Sequence, residues 1–247
     1  MRVLGVIPAR LGSTRLPHKP LQLLAGEPLI TRVVERVLDH GLVERLVVAT
    51  DSEQVARAAE RAGAPAVLTS GHHATGIDRV AEVAARTEFA GYDTIVNIQG
   101  DEPFLPREAL AGALARVGQG DEIGTAAAPL DSAAARDPSR VKVVTDLRGR
   151  ALYFSRAVIP HEREPSDSGR YWQHLGLYAC TRAALLRWVG LPPSPLEQLE
   201  RLEQLRALQS GMAIGVAFLE EEAPPGIDTV DDLRRAETHW HAYQGQV

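Results

Sequence analysis

The feature that most constrains this chain is an alternation of two patterns through its first half: short apolar runs rich in β-branched residues, and amphipathic stretches at helical spacing. The apolar runs predict strands at residues 3–7, 46–50, 66–69 and 94–99. The amphipathic stretches predict helices at residues 29–39, 53–62 and 76–86. Strands that alternate with helices are typical of a parallel sheet covered by helices, so the sequence predicts an α/β fold with a Rossmann-like first half.

The second half of the chain has a different pattern. Residues 141–146 and 151–155 flank a short turn, which predicts an antiparallel hairpin and therefore a mixed sheet. Polar residues and turn formers over 160–173 predict a mobile loop that is a candidate lid.

Leucines at every third position over 196–208 predict one helix, capped by Ser194 or Pro195. The leucine stripe on such a helix would pack in the core or at a subunit interface. A strand at 216–219 and a terminal helix at 231–243 complete the predicted elements.

Length and composition limit the classes of protein to which the chain can belong. With 247 residues and 45% apolar content it can bury a full core, and we expect one domain with a subdivided second half. The net charge of −5 argues against a nucleic-acid-binding protein. No uncharged apolar stretch reaches the ~18 residues that span a bilayer, so we expect a soluble, cytoplasmic protein with no membrane partner. The single cysteine, Cys180, excludes an internal disulfide and ends an apolar run, so we expect a buried core thiol.

A loop of positive charge follows the first predicted strand, which ends at Pro8. The loop contains three cations and two small residues: Arg10, Arg15, Lys19, Gly12 and Ser13. An arginine binds two phosphate oxygens, a lysine adds a mobile charge, and small residues let backbone N–H groups approach an anion. The Walker and Gly-x-Gly-x-x-Gly patterns are absent, so the sequence predicts a different kind of phosphate-binding loop. The alternative is a solvated basic turn.

Two aspartates are candidate metal ligands. Asp101 follows a predicted strand, and Asp228 follows a bend at residues 224–226. Ligands of open α/β sheets collect beyond the carboxyl ends of the strands, where Mg²⁺ takes a few carboxylates and completes its shell with water and phosphate. The alternative roles are helix caps, Asp101 for the segment after Pro103 and Asp228 for the last helix.

Arg79 lies in the first turn of the helix predicted over 76–86. A helix N-terminus attracts anions, and Arg79 would add charge to such a site; a solvated first-turn charge is the alternative. The nearby His72 and His73 lack the spacing of metal ligands, and we expect both at the surface.

Several longer stretches carry a resemblance to a known family. They are IPAR (7–10), STRLP (13–17), KPL (19–21), NIQGDEP (97–103), ALYFSR (151–156), HLGLY (174–178) and PLEQLE (195–200). In this order they resemble the motifs of the CMP-KDO synthetases, the 3-deoxy-manno-octulosonate cytidylyltransferases. The resemblance covers residues 2–238, nearly the whole chain.

The resemblance implies a nucleotidyltransferase that joins CMP from CTP to a 2-keto sugar acid and releases pyrophosphate. The expected acid is 3-deoxy-manno-octulosonate (KDO), and the product would serve surface glycans of the lipopolysaccharide type. The family also implies Mg²⁺ as cofactor and a homodimer. The nucleotide-binding half would span residues 1–130, and the smaller sugar-binding and dimerisation half residues 131–247.

The resemblance further implies roles for individual residues. Catalysis would fall to Arg10, Lys19 and Asp101, and the metal to Asp101 and Asp228. The nucleotide would be bound by Ala9, Arg10, Ser13, Arg15, Lys19, Arg79 and Gln99. The sugar acid would be bound by Gln99, Arg156, His174, Tyr178 and Glu197. Their polar groups suit a carboxylate and hydroxyls, although each of them alone would more often be structural.

Two other functions are compatible with parts of the pattern. A glycosyltransferase that uses a nucleotide sugar shares the Rossmann-like half and an acidic metal ligand, but it releases no pyrophosphate from CTP. A non-catalytic nucleotide sensor would bind CTP and would need neither a sugar pocket nor a second metal ligand.

Overall fold

The computed structural model describes residues 1–13, 15–164 and 171–244, and for 243 and 244 the backbone alone. The strands are β1 (Val3–Ala9), β2 (Leu23–Leu24), β3 (Glu27–Pro28), β4 (Arg45–Thr50), β5 (Ala66–Leu68), β6 (Thr94–Asn97), β7 (Ile123–Leu130), β8 (Lys142–Thr145), β9 (Ala151–Ser155), β10 (Tyr171–Thr181) and β11 (Ile214–Phe218). The helices are α1 (Leu29–His40), α2 (Glu53–Arg61), α3 (Gly76–Ala85), α4 (Arg107–Gly118), α5 (Arg182–Val189), α6 (Pro195–Glu200), α7 (Gln204–Gln209), α8 (Val230–Thr238) and α9 (Trp240–Gln244). The chain forms two compact units, residues 1–107 with the chain from Pro224 onward, and residues 108–223.

The first unit contains a parallel sheet with the strand order β6-β1-β4-β5. Val6 of β1 lies beside Asn97 of β6, so the loops that follow these two strands leave the same edge of the sheet. Strand β1 is buried along almost its whole length, as its apolar sequence predicts. The strands and helices predicted for this half are confirmed, with ends that differ by one or two residues.

Local signals explain where the helices of the first unit begin and end. Helix α1 stops at Gly41, whose φ of 63° favours glycine. Helix α2 begins after Ser52, whose hydroxyl accepts a hydrogen bond from the Val55 amide. Helix α3 begins after Thr75, which forms a reciprocal capping box with Asp78. These caps fix the start of α3 where it borders the candidate site described below.

The second unit contains the mixed part of the fold. Strand β11 runs parallel to β7, whereas β10 runs antiparallel to it. Strands β8 and β9 form the predicted antiparallel hairpin. A Cβ atom at Gly124 would lie 2.0 Å from the carbonyl oxygen of Ala113, so this glycine allows α4 to pack closely on β7. The prediction of an α/β fold with a mixed sheet is confirmed.

The C-terminal boundary of the loop predicted over 160–173 is wrong. Tyr171 pairs with Leu130, so residues 171–173 are the first residues of β10. The pairing buries Tyr171, and this burial outweighs the polar character of the preceding sequence. The part of the candidate lid at 165–170 lies outside the described residues.

The single helix predicted over the leucine repeat is also wrong. Arg201 adopts a left-handed conformation with φ 55°, which ends α6 before α7 begins. Leu199 is 80% exposed, whereas Leu205 is fully buried, so the leucines do not form one stripe. Ser194 caps α6, as predicted. The predicted terminal helix is likewise divided, with His239 between α8 and α9.

Three expectations from length and composition can be compared with the structure. The compact units divide at residues 107 and 223, whereas a nucleotide-binding half of about 1–130 and a sugar-binding half of about 131–247 stay a prediction. Cys180 is buried, and burial raises the pKa of its thiol, so the expected core thiol is confirmed. Among the residues that the structure describes, no helix is both long enough and apolar enough to cross a membrane.

Candidate functional site

A cavity of about 350 Å³ opens in the first unit, beyond the carboxyl ends of β1 and β6. Its walls include the residues predicted to bind the nucleotide or the metal: Ala9, Arg10, Ser13, Arg15, Lys19, Arg79, Gln99, Asp101 and Asp228. The remaining wall residues are Pro8, Gly12, Pro20, His73, Thr75, Gly76 and Gly100. The fold therefore brings four separate stretches of chain to one place. Whether each residue contacts a nucleotide stays a prediction.

Four side chains meet in an ionic group that we call the carboxylate cluster: Lys19, Asp101, Asp228 and Arg15. The Lys19 ammonium contacts the Asp101 carboxylate and lies 2.7 Å from Oδ1 of Asp228. A guanidinium nitrogen of Arg15 lies 3.0 Å from the same Oδ1 atom. The Lys19 side chain is 14% exposed and that of Arg15 is 62% exposed, so the lysine is the inner cation and the arginine faces solvent.

Buried apolar side chains position the carboxylate cluster. Leu16 and Ile227 belong to one core group, which also contains Phe104. Leu16 follows Arg15 in the chain, and Ile227 precedes Asp228, so the packing of this group fixes both charged residues. The Ile227 amide also donates a 2.9 Å hydrogen bond to the carbonyl oxygen of Asp101. Two aspartates far apart in the sequence are thereby held side by side.

The pKa values of Lys19, within the carboxylate cluster, and of the neighbouring Glu102 are both raised. Burial alone would lower the pKa of Lys19, but the carboxylates of Asp101 and Asp228 outweigh it and the pKa is raised. The ammonium therefore keeps its charge near neutral pH. Burial, followed by the negative charges of the same two aspartates, raises the pKa of Glu102 to about 8. Glu102 was not predicted from the sequence, although its position next to Asp101 was a signal that could have identified it.

The carboxylate cluster has the donor chemistry of a Mg²⁺ site. Oxygens of Asp101 and Asp228 already converge on one cation, and carboxylate oxygens are ligands that Mg²⁺ prefers. Within the described ranges, no group of three or more His, Cys, Asp or Glu side chains could hold a metal ion. Two carboxylates suit Mg²⁺, because this ion takes most of its ligands from water and substrate phosphates.

The helix caps considered as alternative roles for the two aspartates are wrong. Thr229 caps α8, and its hydroxyl accepts a 3.2 Å hydrogen bond from the Asp232 amide, whereas Asp228 lies outside the helix. Helix α4 begins at Arg107, too far along the chain for Asp101 to cap it. Both carboxylates are therefore available to the cavity.

Arg79 lies in another part of the cavity wall, in the first turn of α3. It is 3% exposed, so the alternative of a solvated charge is wrong. Its guanidinium lies 3.1 Å from a carboxylate oxygen of Asp51 and 2.6 Å from the hydroxyl of Thr69. Since Asp51 balances its charge, Arg79 adds less positive potential to the cavity than its position in the sequence suggests.

The two neighbouring histidines differ in the structure. His72 is exposed, as expected, but the expectation for His73 is wrong, because its half-buried ring lines the cavity. Nε2 of His73 lies 2.6 Å from a carboxylate oxygen of Glu82 on α3. The spacing of His72 and His73 in the sequence gives no information about a contact with Glu82, so the place of His73 in the cavity wall was not predicted.

Two of the residues predicted to bind the sugar acid form internal contacts in the second unit. His174 is buried, with Nε2 3.0 Å from the Thr125 hydroxyl, and burial lowers its pKa to about 3. Glu197, in the first turn of α6, accepts a hydrogen bond from the Ser194 amide, and its carboxylate lies 2.6 Å from a guanidinium nitrogen of Arg206. These contacts account for both side chains within the protein itself.

Tyr178 and Arg156 have different surroundings. Tyr178 is buried, and its ring contacts those of His174 and Trp188. The Arg156 guanidinium donates to backbone carbonyl oxygens, among them those of Pro138 and Glu200. In the described part of the chain, Arg156 forms no ion pair. Contact of these residues with a sugar acid stays a prediction.

Comparisons with known proteins agree with one another. A family model described as cytidylyltransferase matches residues 4–214. The chain is 54% identical to the 3-deoxy-manno-octulosonate cytidylyltransferase of Gemmatimonas aurantiaca, over 97% of this chain and 95% of that protein. It is 46% identical to the protein of the same name from Methylococcus capsulatus, over 95% of each chain. A solved structure of CMP:2-keto-3-deoxy-manno-octonic acid synthetase complexed with CTP is similar with a TM-score of 0.90 and 37% identity, over 98% of this chain and 99% of that chain.

Proposed function

The chain belongs to the 3-deoxy-manno-octulosonate cytidylyltransferase family, and from this premise we propose how its residues bind CTP and direct the cytidylyl group onto the sugar acid. The enzyme carries out CTP-dependent cytidylyl transfer to KDO. The anomeric hydroxyl oxygen of the sugar attacks the α-phosphate in line, and the bond from the α-phosphorus to the bridging oxygen breaks. Pyrophosphate and a proton are released, and no covalent bond to the enzyme is needed.

The carboxylate cluster is the observation that carries this proposal. Phosphoryl transfer is catalysed chiefly by positioning and by neutralising charge on the phosphate oxygens. Arg10, Arg15 and Lys19 supply three cations to one wall of a cavity at the strand ends. We assign these three cations to the triphosphate. Lys19 is less exposed than Arg15, the other cation of the carboxylate cluster, and we assign it to the phosphate whose negative charge grows in the transition state.

We assign Asp101 and Asp228 as the residues that would hold Mg²⁺. The support is the convergence of their carboxylates on one cation, described above. When bound, Mg²⁺ supplies Lewis acidity to the α-phosphate and helps to acidify the attacking hydroxyl. Lys19 lies beside both carboxylates on a flexible stem, from which its ammonium can reach either a carboxylate or a triphosphate oxygen.

For the sugar acid, we propose that Arg156 binds the carboxylate and that Gln99, His174, Tyr178 and Glu197 contribute to the hydroxyls. Arg156 is supported best, because its guanidinium forms no ion pair among the described residues, and arginine binds carboxylates with paired hydrogen bonds. Gln99 is supported by its place in the cavity wall. The other three rest on the family alone.

We further propose that the enzyme acts as a cytoplasmic homodimer and that its product serves surface glycans of the lipopolysaccharide type. The highly exposed Leu199 and Leu152 in the second unit are candidate contacts between subunits. Light scattering on the purified protein tests the dimer, and substitution of both leucines by serine tests the contact.

A pyrophosphate-release assay with CTP, Mg²⁺ and a panel of sugar acids tests the proposed function. We expect pyrophosphate and the CMP-sugar in equal amounts, with KDO as the preferred acid. Binding of CTP without pyrophosphate release would indicate a nucleotide sensor. Transfer of a sugar from a nucleotide sugar, without pyrophosphate, would indicate a glycosyltransferase.

A further inference from the structure

We propose that His73, held in place by Glu82, binds the 4-amino group of the cytosine base and so makes the enzyme select CTP over UTP. The proposal rests on the proposed function, because it assumes that the cavity binds a nucleoside triphosphate. His73 would be a binding residue, and Glu82 would be a positioning residue that acts through it.

The contacts of Glu82 hold the His73 ring in one orientation. The Glu82 carboxylate accepts hydrogen bonds from the Ser70 amide at 3.0 Å, from the Arg86 guanidinium at 3.1 Å and from Nε2 of His73 at 2.6 Å. Glu82 lies on α3, the helix whose first residue, Gly76, lines the cavity. The ring is therefore fixed to a rigid element that borders the site.

The hydrogen bond to Glu82 indicates which nitrogen of the His73 ring donates and which one accepts. Burial alone would raise the pKa of Glu82, but hydrogen bonds from its three partners outweigh it and lower the pKa to about 2. The carboxylate is therefore ionised and can only accept, so the ring tautomer that fits this contact carries its hydrogen on Nε2. Nδ1 is then an acceptor, and the described residues form no hydrogen bond with it.

The charge distribution in the cavity indicates which part of the nucleotide lies near His73. The carboxylate cluster and Arg10 occupy the wall formed by residues 10–20, 101 and 228, which suits the triphosphate. The wall around His73 is formed by the start of α3, where Asp51 balances the charge of Arg79. This wall has no excess positive charge and offers hydrogen-bonding groups, so it suits the nucleoside.

Pro8 separates these two parts of the cavity wall. A Cβ atom at Gly76 would lie 3.4 Å from the Pro8 ring, and one at Gly100, next to Asp101, would lie 3.2 Å from the Pro8 carbonyl oxygen. A nucleotide with its phosphates at Asp101 therefore has to pass Pro8 to place its base at the start of α3. There, a fixed acceptor distinguishes an amino group from the carbonyl that uracil carries at the same ring position.

The test measures binding and turnover with three triphosphates. They are CTP, UTP and the triphosphate of the 2-pyrimidinone ribonucleoside, which lacks the 4-amino group. For His73→Ala, we expect the affinity for CTP to fall roughly tenfold, the value of one hydrogen bond, with kcat nearly unchanged. The affinities for UTP and the 2-pyrimidinone analogue should hardly change, so the preference for CTP should be largely lost.

Two further variants separate positioning from a general structural effect. His73→Gln carries a donor for Glu82 and an acceptor for the base, and it should restore part of the preference for CTP. Glu82→Gln should reduce the preference less than His73→Ala does, because the ring remains but is held less firmly. His72→Ala is the matched control: its side chain is exposed in the same loop, and nucleotide selectivity should not change.

Two results would overturn the proposal: an equal loss of affinity for the three triphosphates in His73→Ala, or a wild-type enzyme that binds CTP and the 2-pyrimidinone analogue equally well. The comparison of the three triphosphates on the wild-type enzyme does not depend on whether any variant folds. If the wild type binds CTP selectively but releases no pyrophosphate with KDO, the proposed function fails while the role of His73 stands.

Discussion

The chain contains two lysines, one in each compact unit, and their surroundings differ. Lys19 contacts two carboxylates at the wall of a cavity, and its pKa is raised. Lys142 is completely buried, and its ammonium donates to the backbone carbonyl oxygens of Asp137, Arg140 and Arg156. Burial lowers the pKa of Lys142, and the carboxylates that oppose this effect are too weak to reverse it.

The comparison shows that residue type does not decide what a buried cation does. The partners of Lys19 are themselves partly exposed, so a ligand can compete for each of them. The partners of Lys142 are carbonyl groups within the second unit, and its ammonium joins the turn at residues 137–140 to Arg156, which follows β9. We therefore expect changes around Lys19 to affect catalysis and changes around Lys142 to affect stability.

Asp101→Asn should produce the largest effect on turnover. The variant removes a negative charge that we propose holds Mg²⁺, and we expect kcat to fall about 10³-fold while the thermal unfolding midpoint hardly changes. Asp228→Asn should act similarly. The double variant should be little worse than the poorer single one, because the two groups act as a unit.

The matched control for these variants is Asp231→Asn, which changes an exposed aspartate near Asp228 in the first turn of α8. Its activity should equal that of the wild type. If the losses of the two single variants multiply in the double variant, Asp101 and Asp228 have separate roles. Near-normal activity of Asp228→Asn would remove it from the metal site.

Lys19→Ala should have the next largest effect. Because its ammonium would meet charge that grows in the transition state, we expect kcat to fall about 10²-fold and KM for CTP to change much less. Steady-state kinetics with varied CTP and saturating KDO provide the measurement. A large rise in KM with unchanged kcat would instead make Lys19 a ground-state binding residue.

Lys142→Met tests whether Lys142 contributes to stability and not to catalysis. It leaves three backbone carbonyl groups without the ammonium that donates to them, so the free energy of unfolding should fall by about 1–3 kcal/mol. Urea denaturation measures this fall, and kcat of the folded fraction should stay near the wild-type value. A loss of kcat without a loss of stability would mean that Lys142 affects the chemistry after all.

His174 should cause a smaller effect that depends on pH. Its pKa is about 3 in the folded protein, against a usual value of 6.5, so between these pH values the unfolded chain binds the extra proton. Its contribution to stability is complete above pH 6.5 and is lost as the pH falls toward 3. The slope should approach about 1.4 kcal/mol per pH unit.

His174→Gln can keep a hydrogen bond to Thr125 but does not titrate. Urea unfolding between about pH 5 and about pH 7 should therefore show a shallower pH dependence for this variant than for the wild type. Equal slopes would mean that His174 titrates alike in the folded and unfolded protein, which would contradict its burial as a neutral ring.

The elements of the first unit could be predicted because their signals are local. Ser52, Thr75 and Gly41 each mark a helix end through their own chemistry, and the apolar strand β1 needs no distant partner to be identified. The leucine repeat of the second unit was misleading, since regular spacing does not reveal which leucines are buried. The left-handed Arg201 divides the helix there, and no residue type in the sequence indicated it.

The same distinction applies to the candidate site. Asp101 and the cations after β1 could be placed together from sequence, because both follow strands that end at one edge of a parallel sheet. The position of Asp228 depends on the packing of Ile227 against distant side chains. The local sequence therefore left a metal ligand and a helix cap as alternatives for Asp228, and the family resemblance favoured the metal ligand. His73 was missed because its environment is set by Glu82, a contact across the start of a helix.

The carboxylate cluster also has a consequence for handling the protein without metal. Asp101 and Asp228 carry two negative charges, and Lys19 and Arg15 carry two positive ones. Burial, followed by the charges of the two aspartates, raises the pKa of the neighbouring Glu102. The fold thus contains counter-ions for Asp101 and Asp228, so these two carboxylates need no bound cation to stay side by side. A chelator such as EDTA should therefore abolish activity and leave the fold unchanged. Adding Mg²⁺ back should restore turnover without any refolding step.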